Sequence, residues 1–256
     1  MKLLPRQWTE KQIAEALDLV KQADSVELKL TVQDTDQRSA VMSLDMDVLD
    51  AEIRQAVFFD TPDLKLNRSG LIVRARRIRT GGDTVIKLRP VIPTELPAEL
   101  RHSSNFNVEV DAMPGTLVCS ASLKSKVDNS KVKQVLRAIR PIRKLFSPEQ
   151  CLLYRAHAPK SVELDSLTAF GPINTLKLKM TPRDFDRTLV GEMWFYPDGS
   201  RILELSTRSR PEEAFQVLAE VRALLVQRAI SLTGKQEAKT RKALEYFSRL
   251  HIGNKK

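Results

Sequence analysis

Charged side chains recur two residues apart along much of this 256-residue chain: Glu27 and Lys29, Arg74 and Arg76, Lys87 and Arg89, Glu109 and Asp111, Lys177 and Lys179, with Glu192 and Glu204 on two further segments. Apolar residues stand between them, among them Val26 and Leu28, Val73 and Ala75, Ile86 and Leu88, Val108 and Val110. Successive side chains of a β-strand point to opposite faces, so this alternation predicts strands with one charged and one apolar face. Arginine and lysine match phosphate oxygens, arginine through two parallel hydrogen bonds and lysine as a point charge. Grouped carboxylates with water suit Mg2+ or Mn2+, which in turn bridges phosphate oxygens. The signs are segregated: the segments at Arg74, Lys87 and Lys177 are basic, those at Glu109, Glu192 and Glu204 acidic, and that at Glu27 carries one of each. Like charges at this spacing repel unless something neutralises them. Two arrangements accommodate the pattern. One is an open sheet with a wetted face; the other is a barrel closed with its charged side inward around a chain of phosphates and a divalent cation.

The elements that must position these residues are read from periodicity. Strands are expected at Ser25–Thr31, Leu71–Arg76, Asp83–Arg89, Asn107–Asp111, Thr175–Met180, Gly191–Tyr196 and Ile202–Thr207. Gly81-Gly82-Asp83 and Pro197-Asp198-Gly199 supply hairpin turns between neighbouring pairs. A helix is expected from Glu10 to about Gln22, with Thr9 as its N-cap and Ile13, Leu17 and Val20 on one side, and another from Ser130 to Ile139, ended by Pro141. Two more are expected after the last strand, from Pro211 to Leu232 and from Lys235 to Leu250. The class is α+β with a mainly antiparallel sheet.

Composition narrows the partners. The chain carries 42 Lys+Arg against 32 Asp+Glu, a net charge of +10. Residues 121–160 hold ten cations against Asp128 and Glu149, which fits either a polyanionic partner or a solvated helix face. With only 5% aromatic residues there is little to stack on bases, and a nucleic-acid partner is not expected. Two cysteines, Cys119 and Cys151, exclude a disulfide scaffold, and no Cys/His group has zinc spacing. His102, His157 and His251 are scattered, and Ser120 and Ser122 lack a triad partner, so nucleophilic catalysis has little support. No apolar run approaches the about 18 residues of a membrane span, and the first residues lack a signal-peptide stretch, so a cytoplasmic protein without a membrane partner is expected.

Phe58-Phe59-Asp60-Thr61-Pro62-Asp63-Leu64, continuing through Leu66 and Gly70 to Leu71–Arg76, resembles the signature of CYTH domains, the triphosphate tunnel metalloenzymes. The family's further motifs, an N-terminal acidic strand ending in Lys, then Arg-x-Arg, a Lys strand, an acidic pair, a basic strand and a final acidic hairpin, can be placed in order over residues 25–210. The resemblance implies a closed eight-stranded antiparallel β-barrel, a tunnel with helices packed outside, preceded by a helical lead-in over 1–24. A helical insert near 130–158 and C-terminal helices over 211–256 lie outside the motif. It also implies triphosphate binding with Mg2+ or Mn2+, in a family that includes inorganic and thiamine triphosphatases and some adenylate cyclases. Carried over by motif, Lys29, Arg74, Arg76, Lys87, Lys177 and Lys179 would grip phosphates together with Arg89, Lys29 and Lys87 serving as catalytic cations, and Arg208 stands where similar proteins place a final Lys. Glu27, Glu109, Asp111, Glu192 and Glu204 would hold metal or orient water. The implied function is metal-dependent hydrolysis of tripolyphosphate or of a nucleoside or thiamine triphosphate. A cyclase releasing pyrophosphate and a non-catalytic polyphosphate or nucleotide module are the alternatives. Two positions depart from the pattern: Ser25 and Ser206 stand where acidic residues belong. Asp24 cannot replace the first, because a one-residue shift points it to the other face. Trp194 shares a face with Glu192 and could either line a tunnel mouth or pack at its rim, and Asp60 and Asp63 read first as turn formers.

Overall fold

The computed structural model of the chain describes residues 9–231, 236 and 238–253. Nine strands follow in order: β1 (Ser25–Val32), β2 (Glu52–Asp60), β3 (Leu71–Ile78), β4 (Gly81–Leu88), β5 (Phe106–Met113), β6 (Thr116–Val127), β7 (Thr168–Met180), β8 (Leu189–Phe195) and β9 (Arg201–Ser209). The helices are α1 (Glu10–Lys21), α2 (Gln37–Ser43), α3 (Lys65–Arg68), α4 (Ala98–Arg101), α5 (Asn129–Leu136), α6 (Pro148–His157), α7 (Ala214–Gln227) and α8 (Lys239–Gly253). Helix α7 ends at Gln227, short of the expected Leu232, where Ala229 turns to a positive φ, and α8 begins at Lys239 rather than at the expected Lys235; Leu232 and Lys235 themselves lie outside the described residues. On α1 the buried side is Ala16 and Val20, whereas Ile13 and Leu17 are exposed.

The strands close into one barrel in the order β1-β5-β6-β4-β3-β2-β7-β8-β9. This corrects the expected eight-stranded antiparallel tunnel on both counts. An odd number of strands cannot alternate direction all the way around a ring, so one junction must be parallel. It falls between β1 and β5, with Ser25 opposite Glu109 and Glu27 opposite Asp111. The other eight pairings are antiparallel. The two strands absent from the sequence reading are β2 and β6. In β2, Ala56 and Phe58 pack on the barrel's inner side and Val57 and Phe59 on its outer side, so burial on both faces erases the alternation. β6 is half hidden in the basic 121–160 segment.

The outer faces of the strands make two apolar layers. Val26, Val73, Ile86, Val108 and Ala121 pack against Val20 of α1, Val132 of α5 and Leu153 and Tyr154 of α6. Leu30, Leu203 and Leu205 pack against Ala40 of α2 and Leu224 and Leu225 of α7. Each large side chain buried this way contributes about 1.5–3 kcal/mol. A third apolar group lies at one end of the barrel's interior. There Ala56, Phe58, Ile173, Trp194 and Ile202 meet Ala243 and Leu244, so α8 covers that end.

Turns set the remaining geometry. The β3–β4 turn is Arg79-Thr80, slightly before the expected glycines, which lie inside β4. A Cβ on Gly82 would overlap the Arg76 carbonyl oxygen, so only bare backbone fits that approach. Asp60, at the end of β2, accepts the backbone N–H groups of Thr61, Leu66 and Asn67 at 2.7, 2.9 and 2.9 Å. Its carboxylate thereby ties β2 to the short helix α3 that leads into β3. Asp60→Ala would strand three backbone donors in a buried turn, and is expected to lower the free energy of unfolding by about 2–4 kcal/mol, read as a fall in denaturant midpoint at constant slope.

Candidate functional site

Ion pairs show which way the charged faces point. Lys87 and Arg89, on and just after β4, reach Asp111 of β5 at 3.7 and 2.7 Å, although β6 lies between those strands. Arg208 of β9 pairs with Glu109 of β5 across the width of β1. The opposite, apolar faces of these strands pack against the helices outside the barrel, so the faces that share these ion pairs turn inward. The charged side therefore lines a lumen.

The parallel β1–β5 register builds an acidic group in that lumen. Oxygens of Glu27, Glu109 and Asp111 lie within 4.8 Å of one another. Lys29 contacts Asp111 at 2.5 Å and Glu27 at 2.9 Å. Burial raises the Asp111 pKa, but Lys87, Lys29 and Arg89 more than offset it and hold the carboxyl at about 2. Glu109 stays above the ordinary carboxylate range because burial and the charge of Glu27 both oppose its ionisation. Lys29 is held well above the usual lysine value: burial opposes its charge, and Glu27 and Asp111 outweigh it. Ser206 donates to Glu27 Oε1 at 3.3 Å, and Ser25 Oγ is buried with no hydrogen-bond partner. Asp24 faces away, accepting from the Val108 N–H at 2.7 Å. Three mutually repelling carboxylate oxygens and an orphan hydroxyl on the same face are an oxygen donor set that fits a hard divalent cation.

A basic track lies alongside. Arg74 and Arg76 of β3 share Asp83 of β4, at 4.0 and 2.5 Å. Arg54 of β2 and Lys177 of β7 face the same space, Lys177 lying 3.7 Å from Glu192. Each of Arg74, Arg76, Lys87 and Lys177 has an acidic partner, yet they crowd one another in a half-buried setting. Arg74 is pulled down to about 10 by burial and by Arg76, and Lys87 and Lys177 are depressed by burial that their acidic neighbours do not fully offset. Lys179 lies on the same face of β7 but is exposed at the rim.

Glu192 and Glu204 stand apart from the other three acids because a residue from α8 occupies them. Lys239 Nζ lies 2.6 Å from Glu192 and 2.8 Å from Glu204, and 5.1 Å from the centre of the Trp194 ring. Trp194 stacks on Phe58 and donates its indole N–H to Glu192, so its role is packing at the covered end. Burial opposes ionisation of Glu192, but Lys239 and Lys177 drive its pKa far below the ordinary 4.5. Sequence reasoning missed Arg54, Asp83 and Lys239 here. Arg54 and Asp83 obey the period-two rule with their strands, whereas nothing local marks Lys239. Lys239→Met is expected to leave two buried carboxylates without their shared cation and to cost about 3–5 kcal/mol of stability at neutral pH. A depressed carboxylate pKa stabilises above the unfolded-state value and loses that contribution as pH falls below it. Urea denaturation should therefore show the gap between wild type and variant closing below about pH 4.5.

No family model matches the sequence, and no curated protein matches it. Solved structures do. A candidate adenylate cyclase from Bacillus halodurans aligns over 85% of this chain and 98% of its own, at 15% identity and a TM-score of 0.59. A candidate adenylyl cyclase from Hippeastrum, described as revealing a dominant triphosphatase activity, aligns over 82% of this chain and 91% of its own, at 13% identity and a TM-score of 0.59. The chain therefore shares the closed-barrel fold of these two structures.

Proposed function

We propose that this chain is a divalent-metal-dependent phosphohydrolase that acts on a triphosphate-containing substrate inside its barrel. The observation that carries the reading is the crowding of cations in the lumen: Arg54, Arg74, Arg76, Lys87, Arg89 and Lys177 share one half-buried space, and a polyanion is the ligand that suits them. Arg74 and Arg76 can each present two parallel N–H donors to a phosphate, and Lys87, Lys177 and Arg89 add charge along the chain of phosphates. Lys29, fixed between Glu27 and Asp111, is a rigid cation at the border between the basic and acidic regions. Glu27, Glu109 and Asp111 would hold Mg2+ or Mn2+, which supplies Lewis-acid neutralisation of phosphate oxygens when bound. The protein's part is to hold the terminal phosphorus in line with a water and to exclude bulk solvent. Water oxygen adds to that phosphorus as the P–O–P bridge breaks, yielding orthophosphate. On this reading residues 25–210 form the working tunnel domain.

The likeness to candidate cyclases favours one second reading, in which a ribose 3′-hydroxyl attacks the α-phosphorus and pyrophosphate leaves. One experiment separates the readings. Purified protein is incubated with tripolyphosphate, ATP or thiamine triphosphate, with Mg2+, Mn2+ or chelator, and both phosphate products are measured. Metal-dependent orthophosphate release is expected; pyrophosphate with cyclic nucleotide would establish the cyclase, and tight binding without turnover a binding module. Arg74→Ala and Lys87→Ala each remove a charged contact worth about 1.5–3 kcal/mol, and should weaken tripolyphosphate binding by roughly ten- to a hundredfold in calorimetry. Because Lys87 and Lys177 lose their protons below the ordinary 10.5, affinity should decline on the alkaline side before free lysine titrates.

A further inference from the structure

At the end of the barrel away from α8, a cavity of about 680 Å³ opens between the β3–β4 hairpin, the end of β6, the start of α5 and the turn before α6. Ile72 packs near the covered end and Ile78 lines this cavity, so the two ends of β3 are separated by about 20 Å of strand. Three lysines from three different elements line it: Lys126 of β6, Lys131 of α5, and Lys144 from the 3-10 turn Ile142–Leu145. None of the three has a carboxylate within 4.0 Å among the described residues. The acid in the lining, Asp128, is engaged as the N-cap of α5, accepting the Ser130 N–H at 2.6 Å. Thr80 and Ser147 add hydroxyls, and no atom lies within 4 Å of where a Cβ on Gly81 would stand, so the turn leaves the space open.

The cavity is continuous in charge with the tunnel. Lys126 sits directly opposite Asp83 in the β4–β6 ladder, and Asp83 is the partner of Arg76. Lys126 thus stands beside the Arg76–Asp83 pair and also in the lining that Lys131 and Lys144 share. Exposed lysines without a carboxylate partner around a ligand-sized hollow of mixed polar and apolar lining attract an anion, and their spread over three elements suits an extended one rather than a single phosphate.

We infer that this cavity is an accessory oligophosphate site at the uncovered mouth, which holds the part of a polyphosphate chain that projects from the tunnel. The inference rests on the tunnel reading only for where the chain begins. It gives three of the ten cations of the 121–160 segment, Lys126, Lys131 and Lys144, a part in recognition beyond three phosphates.

The test compares tripolyphosphate with long-chain polyphosphate by calorimetry on the full chain. In the double variant Lys131→Ala/Lys144→Ala, long-chain affinity should fall by roughly ten- to a hundredfold while tripolyphosphate affinity holds. Wild-type long-chain affinity in that variant overturns the site, as does an equal loss for both ligands, which would put the lysines in the tunnel's own binding. Arg74→Ala reports on the tunnel separately. If it leaves tripolyphosphate binding intact while the double variant still loses the long chain, the tunnel reading fails and the cavity stands as an independent site. A second tripolyphosphate bound per wild-type chain and lost in the double variant would show the cavity taking separate anions, overturning the projecting-chain form.

Discussion

The structure depends on one fully buried carboxylate. Asp111 has no exposed side-chain surface, and three cations from two sides of the barrel converge on it. Taking such a charge out of water costs several kcal/mol, repaid only when opposite charges are held close and firmly. Lys29 comes from the neighbouring strand and Lys87 and Arg89 from across β6, so the balance exists only when β1, β5, β6 and β4 stand side by side. Strand order and charge are therefore one constraint. Burial, and after it the neighbouring cations Arg76, Lys29 and Arg54, hold Arg74, Lys87 and Lys177 below their ordinary pKa values. On the proposed function, an anion relieves that crowding.

The odd strand count has a chemical consequence. A parallel β1–β5 junction sets Glu27 level with Asp111 and Ser25 level with Glu109, which brings the carboxylates of adjoining strands together with Lys29 bridging Glu27 and Asp111. At the other end of the lumen α8 supplies what the strands lack, a cation for Glu192 and Glu204. The tunnel is thereby made asymmetric, with an apolar, lysine-latched end and an open basic one.

The inward charged face was legible because a strand's period of two is set by backbone geometry and survives any tertiary context. Lys29, Arg74, Arg76, Lys87, Glu109, Asp111, Lys177, Glu192 and Glu204 all lie where alternation assigns them. What escaped had other causes. β2 is apolar on both sides where Phe58 faces the covered end and Phe59 the outer layer, so it carries no alternation. The parallel junction follows from ring closure, which no local pattern encodes. Lys239 reaches the lumen from a helix well beyond the last strand, and its significance is wholly tertiary. Whether the alternating face was wet or enclosed was likewise undecidable from spacing, since both arrangements demand the same residues.

Ser25 and Ser206 mark how this lumen differs from the acidic pattern it resembles. A carboxylate at either position would have added a further buried negative charge beside Glu109 or Glu27, whose mutual repulsion already keeps Glu109 above the ordinary range. A serine hydroxyl donates to Glu27 instead, as Ser206 does, and lowers that repulsion without a counter-ion. Three carboxylates with hydroxyl support bind a divalent ion less tightly than five, yet one or two protein carboxylates suffice when substrate phosphates complete the shell. On the proposed function, the arrangement favours an ion that arrives with the phosphate ligand over one resident in the empty lumen. Arg208, half exposed and paired to Glu109, is the cation that balances the acidic group in the absence of that ion.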